Sequence, residues 1–314
     1  MKIILKLLKY TFLFILLLIA GFIAFNWKSD VSVEELKKKY ANAESEFVEI
    51  DGMQVHFRDQ GLASDSLPLV LIHGTGASLH TWEPWVNDLR NDHRIITLDL
   101  PAYGLTGPSR EGIYSQDFYS DFMEKFLSKL NIKRCVLGGN SLGGAITWAY
   151  AVEHPERVDK MILVDAAGYP MVSKSVPIAF QAARIPIINN VFKYILPHFI
   201  IEKSLQNVYV HDDRITPELI KRYYDLASRE GNRKAFVDRM KSSFQSDKYL
   251  KIKTLKMPTL IIWGEQDALI PLEVAEKFHR DLPNDTMIVF KDLGHTPMEE
   301  DPIATLKAVK DFLK

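Results

Sequence analysis

Three side chains in this sequence have the types and chain order for nucleophilic acyl transfer: Ser141, Asp267 and His295. A serine hydroxyl is a poor nucleophile near neutral pH and needs a base, itself oriented by a carboxylate. Ser141 is the centre of Gly139-Asn140-Ser141-Leu142-Gly143, a G-x-S-x-G pattern. That pattern directly follows an apolar β-type run, Cys135 to Leu137, and precedes a helical stretch, Ala145 to Glu153. A sharp strand-to-helix turn holds its serine in a strained conformation and leaves no room for side chains at the flanking glycines. A glycine-rich turn with an incidental serine is the plain alternative, and the strand–turn–helix setting outweighs it.

His295 lies in Leu293-Gly294-His295-Thr296-Pro297, just past the last β-type run and 154 residues after the serine. That position makes it the best base among the nine histidines. Asp267, in Gly264-Glu265-Gln266-Asp267, also follows a strand and precedes His295 by 28 residues. Asp165 ends an earlier strand and is the rival acid; position along the sheet favours Asp267. A third strand-ending aspartate, Asp99, reads as a loop-fixing residue.

Acyl transfer also needs N–H groups aimed at the developing oxyanion. Leu142, at the start of a helix, should supply one. The other is expected from the loop His73-Gly74-Thr75-Gly76-Ala77, with Thr75 nominated, Gly76 as fallback, and Gly74 and Gly76 shaping the binding loop. His73 beside that loop reads as its lock, and Trp82 and Trp85 as packing beneath it.

The elements that must position these groups are legible as alternating runs. Leu69 to Ile72, Ile95 to Leu98, Cys135 to Leu137, Met161 to Val164, Leu260 to Trp263 and Met287 to Phe290 are continuous apolar segments. Parallel strands covered on both faces have this pattern, because neither face meets water. Helical stretches separate most of them, so the class is α/β with a doubly wound, mostly parallel sheet. Phe47 to Ile50 and Gln54 to Arg58 read as a preceding hairpin about Asp51-Gly52. About 95 residues without a convincing strand lie between Val164 and Leu260. A connection of that length implies an inserted helical cap, about residues 170–248.

Tyr10 to Trp27 are 18 uncharged residues. As a helix they would span roughly 27 Å, close to the hydrocarbon thickness of a bilayer. Residues 1–28 therefore read as a membrane anchor, with a cleaved signal and a buried core helix as the alternatives. Bulky Leu18, Ile19 and Phe22 at the cleavage-determining offsets argue against cleavage. Lys2, Lys6 and Lys9 place the N-terminus in the cytoplasm and the remainder of the chain across the membrane. Residues 29–45, with Ser32 and Glu35 suited to a capping box, read as a stalk; residues 46–314 form the hydrolytic domain.

Bulk composition narrows the function classes. With 39 basic and 40 acidic residues the net charge is −1, which offers no field to attract nucleic acid. The one cysteine, Cys135, sits in an apolar run and reads as a buried thiol. No H-E-x-x-H, cysteine pair, calcium loop, G-x-x-x-x-G-K or G-x-G-x-x-G is present, so the sequence offers no metal or phosphate motif.

Taken in order, His73-Gly74, Asp99-Leu100-Pro101-Ala102-Tyr103-Gly104, Gly139 to Gly144, Trp263 to Asp267 and Gly294-His295 resemble the α/β-hydrolase superfamily over residues 46–314. The resemblance implies an eight-stranded core sheet, a cap over the site, and neither metal nor organic cofactor. Ala102 departs from it, standing where the aspartate loop often has glycine. Serine at residue 141 is unlike the aspartate of haloalkane dehalogenases and epoxide hydrolases. Gly-Asn-Ser-x-Gly-Gly is similar to hydrolases that cleave carbon–carbon bonds of ring-fission products, although Thr296 replaces the aromatic those carry after the histidine. An anchor ahead of such a domain looks like some monoacylglycerol lipases. The expectation is a serine hydrolase of a hydrophobic, lipid-like carboxylic ester. The alternatives are carbon–carbon hydrolysis of a vinylogous diketone acid, and a non-catalytic ligand-binding protein on the same scaffold.

Overall fold

The computed structural model describes residues 2–242 and 246–314. Its apolar runs form one eight-stranded sheet in the order β1-β2-β4-β3-β5-β6-β7-β8. The strands are β1 Ser45–Ile50, β2 Met53–Gly61, β3 Leu69–Ile72, β4 Arg94–Leu98, β5 Cys135–Asn140, β6 Val158–Val164, β7 Thr259–Gly264 and β8 Asp285–Phe290. β2 runs antiparallel to β1 and to β4, and all pairings from β4 through β8 are parallel. β3, β5 and β7 are buried at every residue, which is why they read as unbroken apolar runs.

The helices are α1 Lys2–Phe25, α2 Val33–Tyr40, α3 Glu83–Leu89, α4 Gln116–Lys129, α5 Leu142–Glu153, α6 Ile178–Arg184, α7 Ile188–Phe192, α8 His198–Val208, α9 Pro217–Ala227, α10 Asn232–Lys241, α11 Leu272–Asp281, α12 Pro297–Glu300 and α13 Pro302–Leu313. One core lies between the sheet and α4, α5 and α11, and a second lies under α3 and α13. Trp82 and Trp85 belong to the second, with ring centroids 5.0 Å apart. Trp85 Nε1 donates to Thr305 Oγ1 at 3.1 Å, so the indole's polar atom is satisfied inside that core.

Between β6 and β7 the helices α6 to α10 form the inserted cap, built around Ala183, Phe192, Ile200 and Val237. α1 is long and apolar enough to cross a membrane, and none of its residues is buried. Residues 29–45, expected as a stalk, make tertiary contacts along much of their length. Ser32 caps α2, Leu36 is fully buried against Leu105 and Leu226, and the Tyr40 hydroxyl donates to Asp225 at 2.8 Å.

Candidate active site

Each strand that carries a candidate residue delivers it at the same edge of the sheet, because parallel strands end together at their C-termini. Ser141 follows β5 with φ 55° and ψ −112°, a conformation that costs a non-glycine residue about 1–3 kcal/mol. Its N–H donates to Val164 O at 3.0 Å, and its carbonyl accepts from Ala145 and Ala167 N–H groups. These bonds to β6 and to the start of α5 over-determine the turn. A Cβ on Gly139 would run into the backbone of Gly143, and one on Gly143 into the Ile72 carbonyl. Both glycines are therefore required by close approach.

His295 Nδ1 lies 2.6 Å from Asp267 Oδ2, and both residues are almost wholly buried. The other carboxylate oxygen, Asp267 Oδ1, accepts from the N–H groups of Leu269 (2.8 Å) and Ile270 (2.9 Å). An Nδ1–H donated to that carboxylate leaves Nε2 of the neutral ring as the acceptor. Asn140 Nδ2 donates to the carbonyls of Val164 (3.1 Å) and His295 (3.0 Å), which ties the histidine's backbone to the residue before Ser141. No hydrogen bond joins the Ser141 hydroxyl to the His295 ring among the described residues.

Asp165 also ends its strand in this cluster, with φ 42°. Ligand-type atoms of Asp165, Asp267 and His295 all lie within 4.8 Å of one another. Burial, and then the charge of Asp267, push the Asp165 carboxyl well above the usual range, so it is held neutral. The acid hydrogen-bonded to His295 is Asp267; Asp165 Oδ1 instead accepts from Gly264 N–H at 3.0 Å. This set is the one cluster with metal-type donors close together among the described residues. Asp267 Oδ2 and His295 Nδ1 are committed to each other, and Asp267 Oδ1 and Asp165 Oδ1 to backbone N–H groups, which suits orientation of the imidazole, while the buried Asp165 Oδ2 has no hydrogen-bond partner.

The His73 loop faces Ser141 from the neighbouring strand. His73 Nδ1 donates to Gly74 O at 2.7 Å, and its Nε2 accepts from Leu100 N–H at 3.0 Å. Burial lowers the His73 pKa, which keeps the ring neutral for both bonds. A Cβ on Gly74 would stand 3.2 Å from the Ser141 Cβ, so the loop is packed directly on Ser141. Thr75 and Ser141 line one chamber of about 490 Å3. Leu142 opens α5, where the first N–H groups have no acceptor within the helix. The arrangement thus brings together Ser141, His295, Asp267, Thr75 and Leu142, and Gly76 lines the second cavity beside Thr75.

That second cavity, about 120 Å3, is walled by apolar cap side chains including Phe180, Phe192, Leu205 and Phe236. Thr75 and Phe180 border both spaces. Sequence reasoning assigned no role to Asn140, nor to Glu300. Glu300 is 1% exposed and accepts from Gly294 (2.8 Å), Val210 (2.8 Å) and His211 (3.2 Å) N–H groups. Only the proximity of Glu300 to His295 in the chain could have hinted at it.

Residues 68–302 match the family model for the alpha/beta hydrolase fold. An uncharacterized hydrolase of Bacillus subtilis, YugF, is 31% identical over 272 residues, 84% of this chain and 96% of its own length. A 2-hydroxy-6-oxononadienedioate/2-hydroxy-6-oxononatrienedioate hydrolase of Burkholderia vietnamiensis is 26% identical over 298 residues, covering 90% of this chain and 98% of the relative. Among solved structures, a thermophilic esterase from Thermogutta terrifontis superposes with a TM-score of 0.70 at 26% identity, covering 86% of this chain and 96% of that one. Fold, sheet order and these matches agree that the chain belongs to the α/β-hydrolase family and is a hydrolase.

Proposed function

We propose that this hydrolase cleaves carboxylic esters with an apolar acyl group through an acyl-enzyme on Ser141. The observation that carries the reading is the pair of cavities meeting at Thr75: one holds Ser141, the other is almost entirely apolar. An acyl chain placed in the apolar cavity would set its carbonyl between Ser141 and the Thr75 N–H. Ser141 Oγ attacks that carbonyl while His295 Nε2 takes its proton; substrate binding closes this hydrogen bond, as apo sites often require. The Thr75 and Leu142 N–H groups hold the oxyanion, and Asp267 stabilises the imidazolium. His295 returns the proton to the leaving alcohol, and water then releases the acid by the same route. α1 anchors the enzyme, with its basic N-terminal end cytoplasmic and the hydrolytic domain on the far side.

Fluorophosphonate labelling of wild type and Ser141→Ala tests the core of this reading, followed by a p-nitrophenyl ester series. Labelling confined to wild type, with turnover rising from acetate to medium-chain esters, is the expected result. An unlabelled wild type would remove Ser141 from the chemistry.

A second reading, hydrolysis of a carboxylate-bearing oxo acid at a carbon–carbon bond, has its own observation. Arg184 and Arg239 line the Ser141 chamber, and no carboxylate does among its described lining residues. Turnover of such an acid without ester turnover would favour it.

A further inference from the structure

The segment that follows α1 is sewn to the cap. Trp27 forms an antiparallel bridge with Ile195, and its ring stacks on Tyr194 with centroids 5.6 Å apart. Lys28 N–H donates to Tyr194 O at 3.1 Å, and Leu196 N–H donates to Asn26 O at 3.2 Å. Arg233 donates to the Lys28 carbonyl at 2.6 Å. α1 therefore leaves the domain beside α7 and α8 of the cap.

The cap surface at that exit is apolar and exposed. Ile187 is 77% exposed, Tyr194 54% and Phe199 47%, with Ile185 and Ile188 each at 45%. Ile187 also has φ 72°, unfavourable for a β-branched residue. At helical rise the stretch from Ile187 to Tyr194 covers roughly 10 Å, so the isoleucines lie close to the anchor junction. Contiguous exposed apolar surface of this kind marks a contact with something other than water.

Charge identifies that something. Residues 170–201 contain Lys174, Arg184 and Lys193 and no Asp or Glu, in a chain whose net charge is −1. Isoleucines and aromatics interleaved with bases suit the interfacial layer of a bilayer, where apolar groups meet acyl chains and cations meet anionic headgroups. The Trp27–Tyr194 stack is the ring type favoured at that depth. Behind this surface lies the apolar cavity: Leu196, hydrogen-bonded to the anchor's Asn26, lines it, and so does Thr75.

We propose that the cap face from Ile185 to Phe199 rests in the bilayer that holds α1, and that the cavity behind it takes the acyl chain of a membrane lipid ester from that layer. The proposal rests on the anchor and Ser141 readings above. Both the contact and the delivery then follow from one placement: the domain is tethered at its cap, so the cavity's outer residues face lipid and the chain never crosses water.

The test uses the full chain in anionic phospholipid vesicles carrying brominated acyl chains. An environment-sensitive fluorophore is attached at Ile187→Cys, Cys135 being buried, and in a separate sample at Lys133→Cys, before β5 at the opposite end of the sheet. Quenching of the first label by about half, with the second unquenched, is expected. Equal emission from both labels overturns the docking. A shift of the first label that depends on protein concentration rather than on lipid places a second copy on this face and also overturns it. For delivery, Ile187→Glu with Ile188→Glu should slow hydrolysis of vesicle-borne lipid ester at least about tenfold, and that of a soluble butyrate ester less than about twofold. Equal losses on both substrates overturn delivery. Failure of the wild type to float with vesicles refutes the anchor reading and the docking together. Quenching with no ester turnover in wild type leaves the docking standing and overturns the ester reading.

Discussion

Two buried His–Asp pairs stand in this molecule, each held by a short hydrogen bond. Around the candidate site, His295 Nδ1 meets Asp267 at 2.6 Å behind Ser141. At the far edge of the sheet, His56 Nδ1 meets Asp99 Oδ2 at 2.7 Å and His56 Nε2 meets Ser45 Oγ at 2.9 Å. By hydrogen bonding alone the second is the more complete, since its histidine is already bonded to a serine. It lacks everything else. Ser45 starts an ordinary strand, and its hydroxyl is also engaged by the Asn42 N–H at 3.1 Å and Arg58 Nε at 3.3 Å. Asp99 is fixed by Leu79 and Leu105 N–H groups, and Phe47 stacks on the His56 ring. Burial would raise the Asp99 carboxyl, but the charge and hydrogen bond of His56 outweigh it and hold the group well below the usual carboxylate range. Ser45 lacks the strained turn, the free N–H groups of a helix start and the open cavity that nucleophilic chemistry at a serine requires. Ser141 has all three.

The contrast can be broken in several ways. The largest effect should come from Asp267→Asn, which strands the wrong tautomer of His295 and should lower kcat/KM about 10³–10⁴-fold. Asp165→Asn replaces a neutral carboxyl by a neutral amide and should cost less than about threefold; ester kinetics on both variants decide, and reversed magnitudes would move the acid. Asp99→Ala should act on stability instead, removing about 3–5 kcal/mol by leaving His56 and two buried N–H groups without their acceptor. Chemical denaturation followed by fluorescence reads that loss, and labelling of the folded fraction should persist.

A smaller effect concerns pH. Burial lowers the His80 pKa from 6.5 to about 4. The unfolded chain then binds more protons between those values, so stability is complete above about pH 6.5 and falls as pH drops toward 4, at up to about 1.4 kcal/mol per unit. His73, also lowered by burial, contributes with the same sign. In His80→Gln the slope of denaturation midpoint against pH should flatten over this window; an unchanged slope would assign it elsewhere. The smallest effect is expected of Thr75→Ala. If the oxyanion donor is the backbone N–H, kcat should change less than about threefold, whereas a hundredfold loss would make the hydroxyl the donor.

What the sequence revealed divides along physical lines. Strands buried on both faces announce themselves, and the groups at their C-terminal ends, Ser141, Asp267 and His295, could be placed on one sheet edge from order alone. The start of α5 is only partly legible: helical patterning is recognisable from Ala145, while Leu142 is expected at the helix start, and the helix does begin there because packing of Gly143 and Gly144 against neighbouring backbone overrides their low helix propensity. The docking of residues 29–45 was not legible, since it rests on one buried side chain, Leu36, and on partners far away in sequence. The same holds for the His56–Asp99 pair with Ser45, which exists only once the β1–β2 register and β4 bring its members together.

Glu300 has a mechanical consequence. Its carboxylate gathers the N–H of Gly294, next to His295, together with those of Val210 and His211, where the chain leaves α8. The His295 N–H itself donates to Val208 O at 2.9 Å. The seam between the middle of the cap, where α8 ends, and the His295 loop is thus a single latch. Any hinge motion that lifts residues 208–211 away from the domain must break the backbone bond of His295 and remove two of the three N–H donors of Glu300, so a cap opened along this seam loosens the candidate site.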